Sequence, residues 1–126
     1  MSNINQVTVS GNLTRDAELR ELKNDNYVIS FTVACNDVFY DRDAEDYAEY
    51  ANFIDCVMFG KRAAAIADYL KKGAKVCVSG KLHYSSWESD EGKRSKIEVT
   101  AHDIEFMSRA EEAKPVDKKR GSRYNR

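Results

Sequence analysis

The chain has 126 residues, 42% of them hydrophobic and 33% charged, which suits one globular core and is too short for two ordinary domains. No apolar run is long enough to span a bilayer, and the N-terminus lacks the basic start and unbroken apolar stretch of a signal peptide, so a cytoplasmic location is the default. The net charge of −1 averages two unlike regions: residues 1–113 hold 14 basic and 20 acidic side chains, whereas residues 114–126 hold 6 and 1.

Period-two alternation opens the chain. Ile4, Gln6, Thr8 and Ser10 share one face and Asn5, Val7 and Val9 the other, so a strand is expected up to a bend at Gly11. Residues 17–22 are expected to form a short strand. Across a polar turn at 23–26, it pairs with a β segment over 27–36 that is rich in β-branched and aromatic residues. Residues 41–49 carry five acids and one arginine with no apolar periodicity, which predicts an exposed loop. A strand over 51–60 follows. Ala63, Ile66, Ala67 and Leu70 fall on one helical face, so a helix is expected over 61–72, with Lys71 and Lys72 at its C-terminus and Gly73 ending it. Two further strands, over 74–86 and 96–107, flank a turn at 89–93.

This order matches a mainly β fold, the five-stranded OB-fold barrel with one α-helix between strands 3 and 4, which binds strands across one face. Other small mixed folds share the pattern. One domain is expected over 1–109, followed by a short basic disordered tail over 110–126 that contains the only proline.

Cys35, Cys56 and Cys77 form no CxxC pair and read as small core residues, and His83 and His102 stand far from ligand-like partners, so neither a metal nor another cofactor is expected. No nucleophile has a neighbouring base, and no glycine-rich phosphate loop precedes a helix; the sequence does not read as an enzyme.

Because residues 1–113 are acidic overall, any nucleic-acid face must be locally basic. Binding single strands without sequence preference requires flat π surfaces for bases and cations for phosphates. Candidate platforms are Phe39 beside Tyr40, Phe53 and Phe59, and Tyr84 and Trp87. Parity separates Phe53, Asp55, Val57 and Phe59 from the uniformly apolar Ile54, Cys56 and Met58, which predicts that the first set faces outward. Trp87 lies in a polar setting and reads as exposed; Tyr84 suits burial or stacking equally, and Tyr69 reads as packing. Candidate phosphate partners are Lys61, Lys72, Lys81, Lys93, Arg94 and Lys96, with Arg15, Arg20 and Arg42 earlier in the chain. Lys61 follows Phe59, and Lys81 precedes Tyr84 and Trp87, so cations interleave with rings.

The blocks NQVTVSGNLTRDAELR at 5–20, FIDCVMFGK at 53–61 and YLKKGAKVCVSGKL at 69–82, with Trp87 after them, resemble the bacterial single-stranded DNA-binding protein family over residues 4 to about 107. The resemblance implies a homotetramer of OB-folds that wraps a strand around its outside, stacking bases at Phe39, Phe53, Phe59 and Trp87. It also implies roles in replication, recombination and repair. Asp55 adds negative charge beside a proposed platform, and Ser85 and Ser86 stand where relatives often carry a cation. Typical relatives end in an acidic tip that recruits replication and repair enzymes. Here the sequence stops at a basic segment, which leaves that recruitment open and fits either a truncated chain or a short paralogue of the kind found on mobile elements. A basic tail would add phosphate contacts and steepen the salt dependence. The alternative, an OB-fold protein-interaction module such as a primosome accessory protein, would be marked by loss of the aromatic platforms.

Overall fold

The computed structural model describes residues 2–107, so the tail expected over 110–126 lies outside the described residues. Six strands form: β1 (Val7–Leu13), β2 (Glu18–Glu21), β3 (Tyr27–Asp41), β4 (Asp46–Phe59), β5 (Lys75–Ser89) and β6 (Gly92–Phe106). One short helix, α1 (Lys61–Ile66), stands between β4 and β5. The ladder runs β1-β5-β6-β4-β3 and returns to β1, where Asn12 and Leu13 pair with Ala34 and Val33. Five strands thus close a barrel, while β2 continues along the edge of β3. The only parallel contact among the described strands is β4 with β6, at Cys56–Val99 and Val57–Thr100. This is the OB-fold architecture that the element order predicted.

Strand parity fills the interior. Ile29, Phe31 and Val33 of β3 lie opposite Met58, Cys56 and Ile54 of β4. Leu13, Val76, Val78, Val99, Ala101 and Ile104 complete the core from the other three strands. Ala63 of α1 and Leu70 join the same cluster and are fully buried. Burying a side chain the size of Leu70 contributes about 1.5–3 kcal/mol.

Several boundaries differ from the sequence expectations for physical reasons. Gly11 does not end β1: a Cβ there would sit 2.1 Å from the Ala34 carbonyl oxygen, so the missing side chain lets β1 pass between β5 and β3 and run on to Leu13. Residues 4–6 precede the strand instead of starting it. There the Asn5 side chain takes over the pairing: the Leu82 N–H donates to Asn5 Oδ1, and Asn5 Nδ2 donates to the Leu82 carbonyl, both at 2.9 Å.

The acidic stretch over 41–49 is mostly strand. β3 and β4 stay in unbroken register from Val28–Phe59 out to Asp41–Asp46, leaving a turn of only residues 42–45. Asp41 Oδ1 accepts from the N–H groups of Asp43 and Ala44, and Glu45 takes φ 57° to close the turn. Past the barrel this ribbon has no core on either side, so its sequence carries no apolar alternation.

The helix stops six residues earlier than expected, at Ile66, and a 3₁₀ turn over Ala67–Tyr69 follows. Tertiary bonds claim the backbone groups that further helix would use. The Leu70 carbonyl accepts from Ala17 N, the Lys72 N–H donates to Asp16 Oδ1 at 2.8 Å, and the Gly73 N–H donates to the Leu13 carbonyl. The turn expected at 89–93 shrinks to Asp90 and Glu91, since Ser89 pairs with Gly92, whose φ is 119°. Finally, β5 and β6 shift register at Ser79/Gly80, leaving His102 extra on β6. Gly80 fits that crossing only because a Cβ would lie 2.1 Å from the Thr100 carbonyl oxygen.

Candidate functional site

The outward parity of three neighbouring strands makes one wall. On β4 the outward row is Phe53, Asp55, Val57 and Phe59, alternating with the inward Ile54, Cys56 and Met58 as the sequence parity predicted. Val57 stands beside Thr100 of β6, and Thr100 stands opposite Lys81 of β5. From that rung the β5–β6 pairs run outward through His83–Glu98 and Ser85–Lys96 to Trp87–Arg94. Phe53 is 67% exposed, Phe59 57% and Trp87 47%, so these rings are not held by the core.

Cations flank the wall. Lys61 begins α1 two residues after Phe59, across the Gly60 N–H bond to the Tyr27 carbonyl. Arg20 of β2 pairs with Val28, which in turn pairs with Phe59. Arg15 follows Thr14, whose N–H donates to the Thr32 carbonyl of β3, between the β1 and β2 pairings. Arg94 stands directly opposite Trp87, the arrangement that cation and stacking platform require. Two of the expected cations already hold carboxylates: Arg94 bonds Glu91, and Lys96 lies 3.4 Å from Glu98. An exposed pair such as Arg94–Glu91 is worth about 0–1 kcal/mol, so a phosphate can displace that carboxylate at little cost, whereas Glu98 is largely covered. Lys81 and Lys93 complete this side, both exposed. Lys72 is also exposed, with its backbone tied to Asp16.

The structure does not gather every expected residue on that wall. Phe39 and Tyr84 carry the inward parity of their ribbons, opposite Ala48 and Ile97 respectively, and become exposed because the ribbons outrun the barrel. Arg42 sits in the turn at the far end of β3–β4, thirteen rungs from Phe59, or about 40 Å of strand. Sequence reasoning passed over Tyr47, Tyr50 and Ile97, all exposed on these ribbons. Pairing the strands around residues 42–45 would have found Tyr47, which faces Tyr40 edge-on with centroids 5.3 Å apart. Tyr69 does meet Phe106 edge-on at 6.0 Å, although it remains exposed.

Electrostatics separate structural from available groups. Burial first, and then the nearby Asp55 and Glu98 carboxylates, push the Cys56 thiol up to about 12, so it packs as a neutral group. A hydrogen bond from Arg62 Nη2 at 2.9 Å, foremost, holds the exposed Asp103 carboxyl below the usual carboxylate range and ties α1 to β6. Asp55 differs from both. Its Oδ1 accepts from Thr32 Oγ1 at 2.9 Å, and no cation among the described residues pairs with it. Among the described residues no group of three or more His, Cys, Asp or Glu is placed to hold a metal ion, and no helix is long and apolar enough to cross a membrane.

Comparison with known proteins places this geometry. The model of the single-strand binding protein family matches residues 4–107. The single-stranded DNA-binding protein of Borreliella burgdorferi is 39% identical over 110 residues, covering 86% of this chain and 72% of that protein. That of Treponema pallidum is 36% identical over 107 residues, covering 85% of this chain and 60% of its own length, so this chain spans only about three-fifths of such a relative. Among solved structures, the Plasmodium falciparum SSB in complex with ssDNA superposes with a TM-score of 0.77 at 21% identity, over 86% of this chain and 98% of that one. A deletion mutant of the single-stranded DNA binding protein from Thermus aquaticus gives a TM-score of 0.74 at 28% identity, over 85% of this chain and 52% of that one.

Proposed function

The chain belongs to the single-strand binding protein family, and from that premise we propose that it binds single-stranded DNA largely independently of sequence and catalyses no reaction on it. The observation that carries this reading is the exposure of Phe53, Phe59 and Trp87 on one outward wall, with Arg94 opposite Trp87 and Lys61 next to Phe59 along the chain. Stacking on Phe53, Phe59 and Trp87 supplies contact to any base, and Arg15, Arg20, Lys61, Lys72, Lys81, Lys93, Arg94 and Lys96 supply phosphate contacts. Tyr84 extends the path along the β5–β6 ribbon. Protection of single strands in replication, recombination and repair, in the cytoplasm and as a homotetramer, completes the proposal; light scattering in solution tests the assembly.

The test of binding uses the single tryptophan as its own probe. Adding poly-dT should quench Trp87 fluorescence to a saturating plateau, and the affinity should fall linearly in log–log form as salt rises. Fluorescence unchanged by poly-dT at low salt would overturn the stacking assignment. The rival reading, a protein-interaction module, is disfavoured by the exposed rings, since such a module would have no need to keep them.

A further inference from the structure

Asp55 occupies an unusual place for an acid. It lies on the outward row of β4, two residues from Phe53 and four from Phe59, at about 3.4 Å of rise per residue. A base stacked on Phe53, about 7 Å along the strand, therefore brings its edge towards the carboxylate, whereas Phe59 lies about 14 Å away. The Thr32 hydroxyl, directly across the ladder, donates to Oδ1 and fixes the orientation of the group. A carboxylate has about four acceptor sites on two oxygens, so this single bond leaves Oδ2 and further lone pairs open. The neighbouring Glu98 lies 3.4 Å from Lys96, whereas Asp55 has no cation partner among the described residues.

Such a group accepts and never donates. Towards a phosphate it is repulsive. Towards a base edge it discriminates: cytosine, adenine and guanine each present an exocyclic amino group, and a carboxylate accepts readily from cytosine N4. Thymine instead presents carbonyl oxygens on both sides of its one ring N–H.

Resting on the proposed strand binding at this wall, we infer that Asp55, oriented by Thr32, is a specificity-determining residue that shifts the preference of the wall towards cytosine and away from thymine. Stacking alone is tolerant of sequence, so a base preference here must come from a directional group.

The experiment compares oligo-dC and oligo-dT of equal length, by anisotropy at mildly alkaline pH, with the full chain and its Asp55→Ala and Thr32→Val variants. Expected is a drop of at least about fivefold in the dC-to-dT affinity ratio for Asp55→Ala. Thr32→Val, which keeps the charge and loses the orienting bond, should lower the ratio part of the way. The ratio cancels the general gain from removing a negative charge, which raises both affinities alike. If both oligonucleotides bind Asp55→Ala more tightly and the ratio stays fixed, Asp55 acts as a charge only and the inference is overturned. If neither binds the unaltered chain, strand binding itself is refuted and the inference goes with it.

Discussion

The β3–β4 and β5–β6 hairpins are built alike and charged differently. Both leave the barrel as long antiparallel ribbons, and both expose rings. Residues 37–49 at the outer end of β3–β4 carry six acids and only Arg42, whereas residues 81–98 of β5–β6 carry four basic and four acidic side chains. Tyr40 and Tyr47 are as exposed on the first ribbon as Trp87 is on the second. On the proposed reading, the cation beside a ring, and not its exposure alone, marks the strand path. The outermost acids do not reach Phe59. At physiological salt the screening length is about 8 Å, whereas Asp46 lies thirteen rungs from Phe59, or about 40 Å of strand.

The largest expected effect tests that division directly. Replacing Phe53 and Trp87 together by Ala should weaken binding to labelled oligo-dT by about 2–6 kcal/mol, at about 1–3 per stacked base. Replacing Tyr40 and Tyr47 together should change it by less than about 0.5 kcal/mol, the usual range for surface substitutions away from a site. Comparable losses from the two pairs would mean that DNA follows both ribbons and that charge does not select between them. Next in size is a structural difference. β3–β4 pairs without interruption, but β5–β6 shifts register at Ser79/Gly80. Gly80→Ala forces a Cβ against the Thr100 carbonyl and should lower stability to urea by about 1–3 kcal/mol. A midpoint that stays put would show that the bulge adjusts freely to a Cβ.

Much of this was legible in the sequence where a core imposes a period. Ile54, Cys56 and Met58 against Phe53, Asp55 and Phe59 gave both the inward set and the outward rings, because one face of β4 packs and the other does not. The same rule fails beyond the barrel. Residues 41–49 pair along most of their length, yet no interior selects which of their side chains are apolar, so a strand there has the composition of a loop. The helix was over-read for a related reason: Leu70 fits the helical face, but its place in the core is reached from a non-helical backbone held by Ala17 and Asp16, residues remote in sequence. Gly11 suggests a bend in the sequence because glycine interrupts strands more often than it allows two strands to touch. Position 39 shows a further limit, since its parity is that of the interior although no interior reaches it.

The smallest expected effect is the sharpest on charge. Each lysine or arginine that meets a phosphate of a single strand contributes about 0.7 to the slope of log affinity against log salt. Lys81 stands on the rung that joins β5 to β6 and, through Thr100, to the Phe53–Phe59 row; Arg42 stands between Asp41 and Asp43 at the end of the acidic ribbon. Lys81→Ala should therefore flatten the slope by about 0.7, and Arg42→Ala should leave it unchanged. A slope has an advantage over an affinity here: removing a distant cation alters the general field slightly at every salt concentration, but only a lost phosphate contact alters how many counterions are released. If Arg42→Ala flattens the slope as much as Lys81→Ala does, a phosphate lies against the acidic turn, and the strand path must be redrawn to run the full length of β3–β4.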